Sequence, residues 1–191
     1  MIRSLARYAA GLRHIEFLPG EPGRIPVILV HGLLHRGIVM KQFALWLNRQ
    51  GRPVVVYDYR TTRRHIVEHG RELADFLCRR EMPQIDLVTH SMGGLLARVA
   101  LAELAATGRG EMVHRIVMLA PPHHGSAVAT AWVEHFAPSP FLVRPLPDLA
   151  DRPEAAVHDL PVPEGYHCRP LRQQGFALLH PPAGGTGARG D

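Results

Sequence analysis

Lysine is almost missing from this 191-residue chain: of its 22 basic residues only Lys41 is not arginine. The formal charge of +5 therefore reads as the coding bias of a GC-rich genome more than as a phosphate-binding surface. The arginines are scattered, the tightest group being Arg60, Arg63 and Arg64, and no RNA- or DNA-binding motif lies near them, so no nucleic-acid partner is expected. Cysteine is scarce too. Cys78 and Cys168 make neither a disulfide framework nor a cysteine-based zinc site, and reduced thiols are expected. No run approaches the ~18–20 apolar residues of a membrane span, and Arg3 and Arg7 interrupt the first twelve residues where a secretory signal would be apolar. The expectation is a cytoplasmic protein without integral membrane association.

What is present suits one globular domain: 46% apolar and 20% charged residues, in a chain long enough to build a core without staples. Four short apolar runs, at 26–30, 53–57, 85–89 and 115–119, are apolar almost throughout, as parallel strands buried on both faces are. Between them, 38–50, 62–80 and 92–107 carry apolar residues at helical spacing, with Gly51 and Gly108 where C-caps belong. Alternation of strand and helix implies βαβ crossovers, hence an α/β fold with a mostly parallel sheet and helices on both faces. Phe43 and Trp46 are expected in its core. The composition then changes. Residues 138–191 hold 10 of the 17 prolines and 6 of the 18 glycines, and only 175–180 resembles a strand there. C-terminal strands are expected to be weak or missing, with residues 1–160 as the domain (core 24–137) and 161–191 as an atypical tail, its end disordered.

The third strand runs into Thr89-His90-Ser91-Met92-Gly93-Gly94, where a helical pattern starts at once. A serine on such a turn has its hydroxyl lifted above the sheet, and small residues after it let the helix pack closely. The helix N-terminus turns its amides toward any oxyanion formed there, which makes the Met92 N–H one candidate donor. Thr89 stands where the G-x-S-x-G pattern has its first glycine. The first strand leads into His31-Gly32-Leu33-Leu34, which resembles the place where serine hydrolases of this layout supply the other oxyanion N–H, and that resemblance makes Leu33 the second candidate donor.

These motifs, with V-V-V-Y-D-Y (54–59), V-T-H-S-M-G-G-L-L-A-R (88–98) and M-L-A-P-P-H-H-G-S (118–126), resemble bacterial α/β-hydrolases of the lipase/esterase kind, including relatives of GPI-inositol deacylases. The resemblance covers residues 24–137. It implies hydrolysis of a small-molecule ester or lipid through an acyl-enzyme on Ser91, by a Ser-His-Asp triad without a cofactor.

Ser91 needs a base, and the base an acid. In that fold both follow the serine in the chain. The strand at 115–119 is followed by Ala-Pro-Pro-His-His, with no carboxylate; later acids are Asp148, Asp151, Glu154, Asp159 and Glu164, none after a recognisable strand. Late histidines are His158, His167 and His180. Only His180 ends a plausible strand and is the candidate base; the acid stays unassigned. Because 161–174 reads unlike a hydrolase, a truncated or frame-shifted C-terminus is the competing expectation, which would leave a catalytically incompetent protein. A remoter alternative is His65-x-x-Glu68-His69, an inverted zincin pattern, expected on the flank of a helix whose buried stripe is Ile66, Leu73 and Leu77. His31, His35, His90, His123 and His124 are expected at the cleft mouth, with His31 and His90 orienting loops. The histidine pair at 123–124 reaches the serine only if its loop folds inward. Asp58 is expected to fix a loop, Ser126 to cap a helix at 127–136, and residues 136–149 to form a lid or a surface loop.

Overall fold

The computed structural model describes residues 16–80, 82–122, 144–149, 167–171 and 176–180. The predicted strands form as β2 (Val27–Val30), β3 (Val54–Tyr57), β4 (Ile85–His90) and β5 (Val113–Leu119), and β3-β2-β4-β5 are mutually parallel neighbours. Residues of alternate parity feed two separate cores. Ile28, Val30, Val55 and Tyr57 pack on one face with α2 (Ile66–Cys78) and α3 (Met92–Ala106). Val27, Leu29, Val54 and Val56 pack on the other with α1 (Lys41–Arg49) and the 3₁₀ turn Gly37–Met40 before it. Both faces being covered is why these strands are apolar without alternation.

Helix α3 is apolar around nearly its whole circumference because it lies between the sheet and α2; Leu95, Leu96, Ala97, Ala100 and Leu104 are all buried. The two helices cross closely at Gly70, where a Cβ would sit 2.4 Å from Val99 Cβ.

Three strands flank the parallel centre in the order β1-β3-β2-β4-β5-β7-β6. β1 (Glu16–Leu18), three residues that the sequence pattern does not announce, pairs antiparallel with β3. β7 (Phe176–His180), the stretch the sequence picks out, runs antiparallel to β5, and β6 (His167–Leu171) antiparallel to β7. β6 corrects the reading of 161–174 as strandless. The helix expected over 62–80 begins only at Ile66, and Trp46, expected in the core, is 54% exposed, stacked on the half-buried Phe43. No helix among the described residues is long and apolar enough to cross a membrane.

Candidate active site

The chain runs from β2 outward to β3 on one side and to β4 on the other, so the order reverses at β2. In such sheets ligands bind at the strand C-termini beside the reversal. Ser91 follows β4 there. Its backbone has φ 51° and ψ −125°, a left-handed conformation that an L-residue holds only when its surroundings enforce it. Two contacts hold it: the Ser91 amide donates to the Leu119 carbonyl (2.8 Å), and the Gly94 amide donates to the Ser91 carbonyl (2.9 Å). Among the described residues the other non-glycine positions with positive φ are Leu34 (57°) and Ala120 (47°). They follow β2 and β5. Backbone strain is thus gathered on one edge of the sheet, around the serine.

Two glycines permit the close approach. A Cβ on Gly32 would lie 3.0 Å from Ser91 Cβ, and one on Gly93 would lie 2.8 Å from the carbonyl oxygens of Val30 and His31. The loop after β2 is therefore pressed against the start of α3. In that loop the His35 amide donates to the Gly32 carbonyl (3.3 Å) and the Leu34 amide to Thr61 Oγ1 (3.1 Å). Among the described residues neither the Leu33 nor the Met92 amide donates to a protein acceptor.

The same loop is held from beneath by a buried polar cluster. His31 and Asp58 are both at most 1% exposed, with His31 Nε2 3.0 Å from Asp58 Oδ1. Asp58 also accepts from Arg36 Nη2 (2.8 Å) and from the Gly37 amide (2.8 Å). Burial alone pushes the Asp58 carboxyl up, but the hydrogen bonds from His31, Arg36 and Gly37 outweigh it and hold the group well below the usual carboxylate range. His31 Nδ1 faces the Gly32 carbonyl at 3.0 Å and so donates to it. The Tyr59 ring stacks on the imidazole, and its hydroxyl donates to the His31 carbonyl (2.8 Å). Asp58 fixes a loop as its position suggested, but His31 lies beneath the cleft and not at its mouth. His90 is half-buried with its ring 5.7 Å from that of His35; burial, then the neighbouring His35 and His31, push it below the ordinary histidine range.

The register separates His180 from the serine. His90 pairs with Leu119, and Leu119 with Phe176, so the hairpin begins β7 at the serine's edge and ends it at the other. His180 lies four residues along, about 13 Å at strand rise, opposite His167. His114 is also at that far end, where its Nδ1 lies 2.9 Å from Asp86 Oδ1. Asp148 is engaged elsewhere: its carboxylate accepts the Ile66 amide (2.8 Å) at the N-terminus of α2 and lies 3.3 Å from His65 Nδ1. His123, His124, Ser126, Asp151, Glu154, His158, Asp159 and Glu164 lie outside the described residues, as does most of the segment 136–149.

The inverted zincin pattern does not assemble as a ligand set. His65 is the extended N-cap of α2, Glu68 accepts the His65 amide (2.9 Å), and His69 is buried edge-on to Tyr59 instead of standing on the flank. Among the described residues no three His, Cys, Asp or Glu side chains come together as metal ligands.

A family profile described as "Domain of unknown function (DUF7379)" matches residues 17–136. The chain belongs to this family. The DUF7379 region therefore takes in β2 to β5, all of β1 but Glu16, and every residue of the strained edge. No curated protein matches the chain. Among solved structures it is similar to the mature form of the Bacillus licheniformis lipase BlEst2, with 20% identity and a TM-score of 0.61 over 76% of this chain and 62% of that one. It is also similar to a carboxylesterase structure from the thaumarchaeon Nitrososphaera gargenis, with 15% identity and a TM-score of 0.51 over 64% and 50%. The chain thus spans less than two thirds of either neighbour's length. At these identities the likeness establishes the fold: DUF7379 here is an α/β-hydrolase fold.

Proposed function

We propose that the protein is a serine hydrolase acting on carboxylic esters, with Ser91 as nucleophile and the Leu33 and Met92 amides as oxyanion donors. The observation that carries this reading is the gathering of the positive-φ residues Leu34, Ser91 and Ala120 on the edge beside the strand-order reversal. Strain of about 1–3 kcal/mol at each position persists only where the fold over-determines it, and such strain clusters at functional sites. Ser91 attacks the ester carbonyl as a base not yet assigned takes its hydroxyl proton, the tetrahedral oxyanion forms against the two amides, that proton passes to the departing alcohol, and water, deprotonated by the same base, releases the acid and restores the serine. Each oxyanion donor lowers the barrier by roughly 3–4 kcal/mol in other hydrolases. The similarity to a lipase and a carboxylesterase is consistent with this chemistry and supplies no substrate.

One observation favours a second reading, a hydrolase-like scaffold without a working triad. His114, His167 and His180, the histidines after Ser91 within described elements, all lie toward the far end of the sheet. Intact-mass labelling of the folded protein with a fluorophosphonate decides between them. Stoichiometric labelling that disappears in Ser91→Ala establishes an activated serine and hence a base. Absence of labelling establishes the scaffold.

A further inference from the structure

The Gly32 carbonyl and the Leu33 amide belong to one peptide unit. That unit is planar and trans, so whatever fixes the carbonyl also fixes the direction of the N–H on its opposite side. It begins at Gly32, whose absent Cβ would lie 3.0 Å from Ser91 Cβ, so the peptide adjoins the serine. Its carbonyl is held twice. His31 Nδ1 lies 3.0 Å from the oxygen, and the His35 amide donates to it at 3.3 Å. A carbonyl oxygen has no proton to give, and a bare Nδ1 would turn its lone pair on that oxygen, so Nδ1 carries the ring proton. Nε2 is the nitrogen with a choice, between the Asp58 carboxylate at 3.0 Å and the Tyr59 amide at 3.3 Å. The imidazole is wholly buried with the Tyr59 ring stacked on its face, which keeps it in this orientation. The groups on either side are tied as well: the His31 carbonyl accepts from the Tyr59 hydroxyl, and the Leu34 amide donates to Thr61 Oγ1. The Leu33 amide lies between them and, among the described residues, donates to no protein acceptor.

We propose that His31 is a positioning residue for hydrolysis at Ser91: through the Gly32 carbonyl, its Nδ1–H aims and polarises the Leu33 amide as oxyanion donor. The catalytic half rests on the hydrolase reading; the hold of His31 on the peptide does not. Hydrogen bonds in series strengthen one another, so a donor on the carbonyl makes the N–H of the same peptide a better donor. Asp58 acts one step further back, holding Nε2 and thereby the direction of the ring.

Two substitutions separate the ring nitrogens. The amide of Asn reaches the place of Nδ1 and that of Gln the place of Nε2, so His31→Asn keeps a donor for Gly32 and His31→Gln keeps one for Asp58. With 4-nitrophenyl butyrate, His31→Gln is expected to lower kcat about a hundredfold while KM changes by less than about threefold. His31→Asn is expected to stay within about tenfold of the wild type. Yet His31→Asn gives up the buried carboxylate contact and should melt below His31→Gln. Activity and stability then rank the two variants in opposite orders, which a merely structural role does not produce. Activities that follow the melting temperatures overturn the proposal.

A second arm needs no turnover. NMR of the isotope-labelled full chain is expected to show a proton on His31 Nδ1 in the wild type, and a Leu33 amide signal that moves in His31→Gln and returns in His31→Asn. That result in a chain that neither cleaves the ester nor takes a fluorophosphonate upholds the hold of His31 on the peptide and defeats the hydrolase reading. A bare Nδ1, or a Leu33 signal indifferent to both substitutions, overturns the proposal.

Discussion

His31 and Asp58 meet 3.0 Å apart beneath the loop that holds Leu33, each supplied from the C-terminal end of one of two adjacent parallel strands. Their contact converts a flexible connection into a fixed one, because the carboxylate also holds Arg36 and the Gly37 amide farther along that loop. Asp58→Asn leaves buried donors without their charge partner, and about 3 kcal/mol of stability should be lost at neutral pH. Folding keeps Asp58 ionised to lower pH than the unfolded chain does. Its contribution is therefore full above pH ~4, the ordinary carboxylate value, and declines as pH falls toward the depressed folded value. Urea denaturation of both proteins at neutral pH and near pH 3 checks this: the gap between them should narrow in acid. A gap that stays constant would show that the pair contributes nothing through ionisation.

Ser91 sits at φ 51° and ψ −125°, where glycine is at ease and alanine is not. Ser91→Gly should therefore be more stable than Ser91→Ala by about 1 kcal/mol, although both lose the hydroxyl. Thermal denaturation of the two variants measures the strain directly. Equal melting temperatures would mean that the turn imposes none, and the argument for an enforced nucleophile would lose its support.

The parallel centre of the sheet is readable because strands covered on both faces are written as unbroken apolar blocks, and Ser91 because it ends a strand run and the glycines at 93 and 94 follow one residue later. Other parts depend on contacts that local pattern does not encode. β1 is three residues long, too short for a period to show, and β6 contains Cys168, Arg169 and Pro170. Asp58 could be assigned to a loop, but its bond to His31 spans 27 residues and follows only from β2 and β3 being neighbours. His69 falls one turn after the helix start and packs under Tyr59, a ring supplied by a different element. Trp46 is on the apolar side of α1 by spacing, yet no described element covers its rim.

Gly93 and Gly108 make a matched pair of glycines with different reasons for being there. At Gly93 a methyl group would meet backbone carbonyl oxygens at 2.8 Å, and backbone cannot rotate away. Gly93→Ala should cost about 2–3 kcal/mol and push the loop after β2 away from Ser91, lowering the rate of fluorophosphonate labelling by tenfold or more, on the order of what small misplacements cost. Gly108, at φ 71° with open space around it, should lose only about 1 kcal/mol on substitution by alanine, with labelling untouched. Denaturation midpoints and labelling rates for the two variants separate crowding at the site from backbone strain away from it.

The antiparallel course of β7 makes one more outcome definite. A strand parallel to β5 would deliver its last residue to the serine's edge, which is where a base following the final strand has to be. Antiparallel pairing sends His180 the other way, opposite His167, while Phe176 takes the place beside Leu119. His180→Ala should consequently leave the rate of Ser91 labelling within about twofold of wild type, whereas loss of a true triad histidine costs factors of 10³ or more. If labelling collapses in His180→Ala while the protein stays folded by circular dichroism, the register of β7 against β5 is wrong and His180 is the base. If it survives, any activated serine owes its base to a histidine elsewhere, and substituting His123 and His124 together becomes the next informative change.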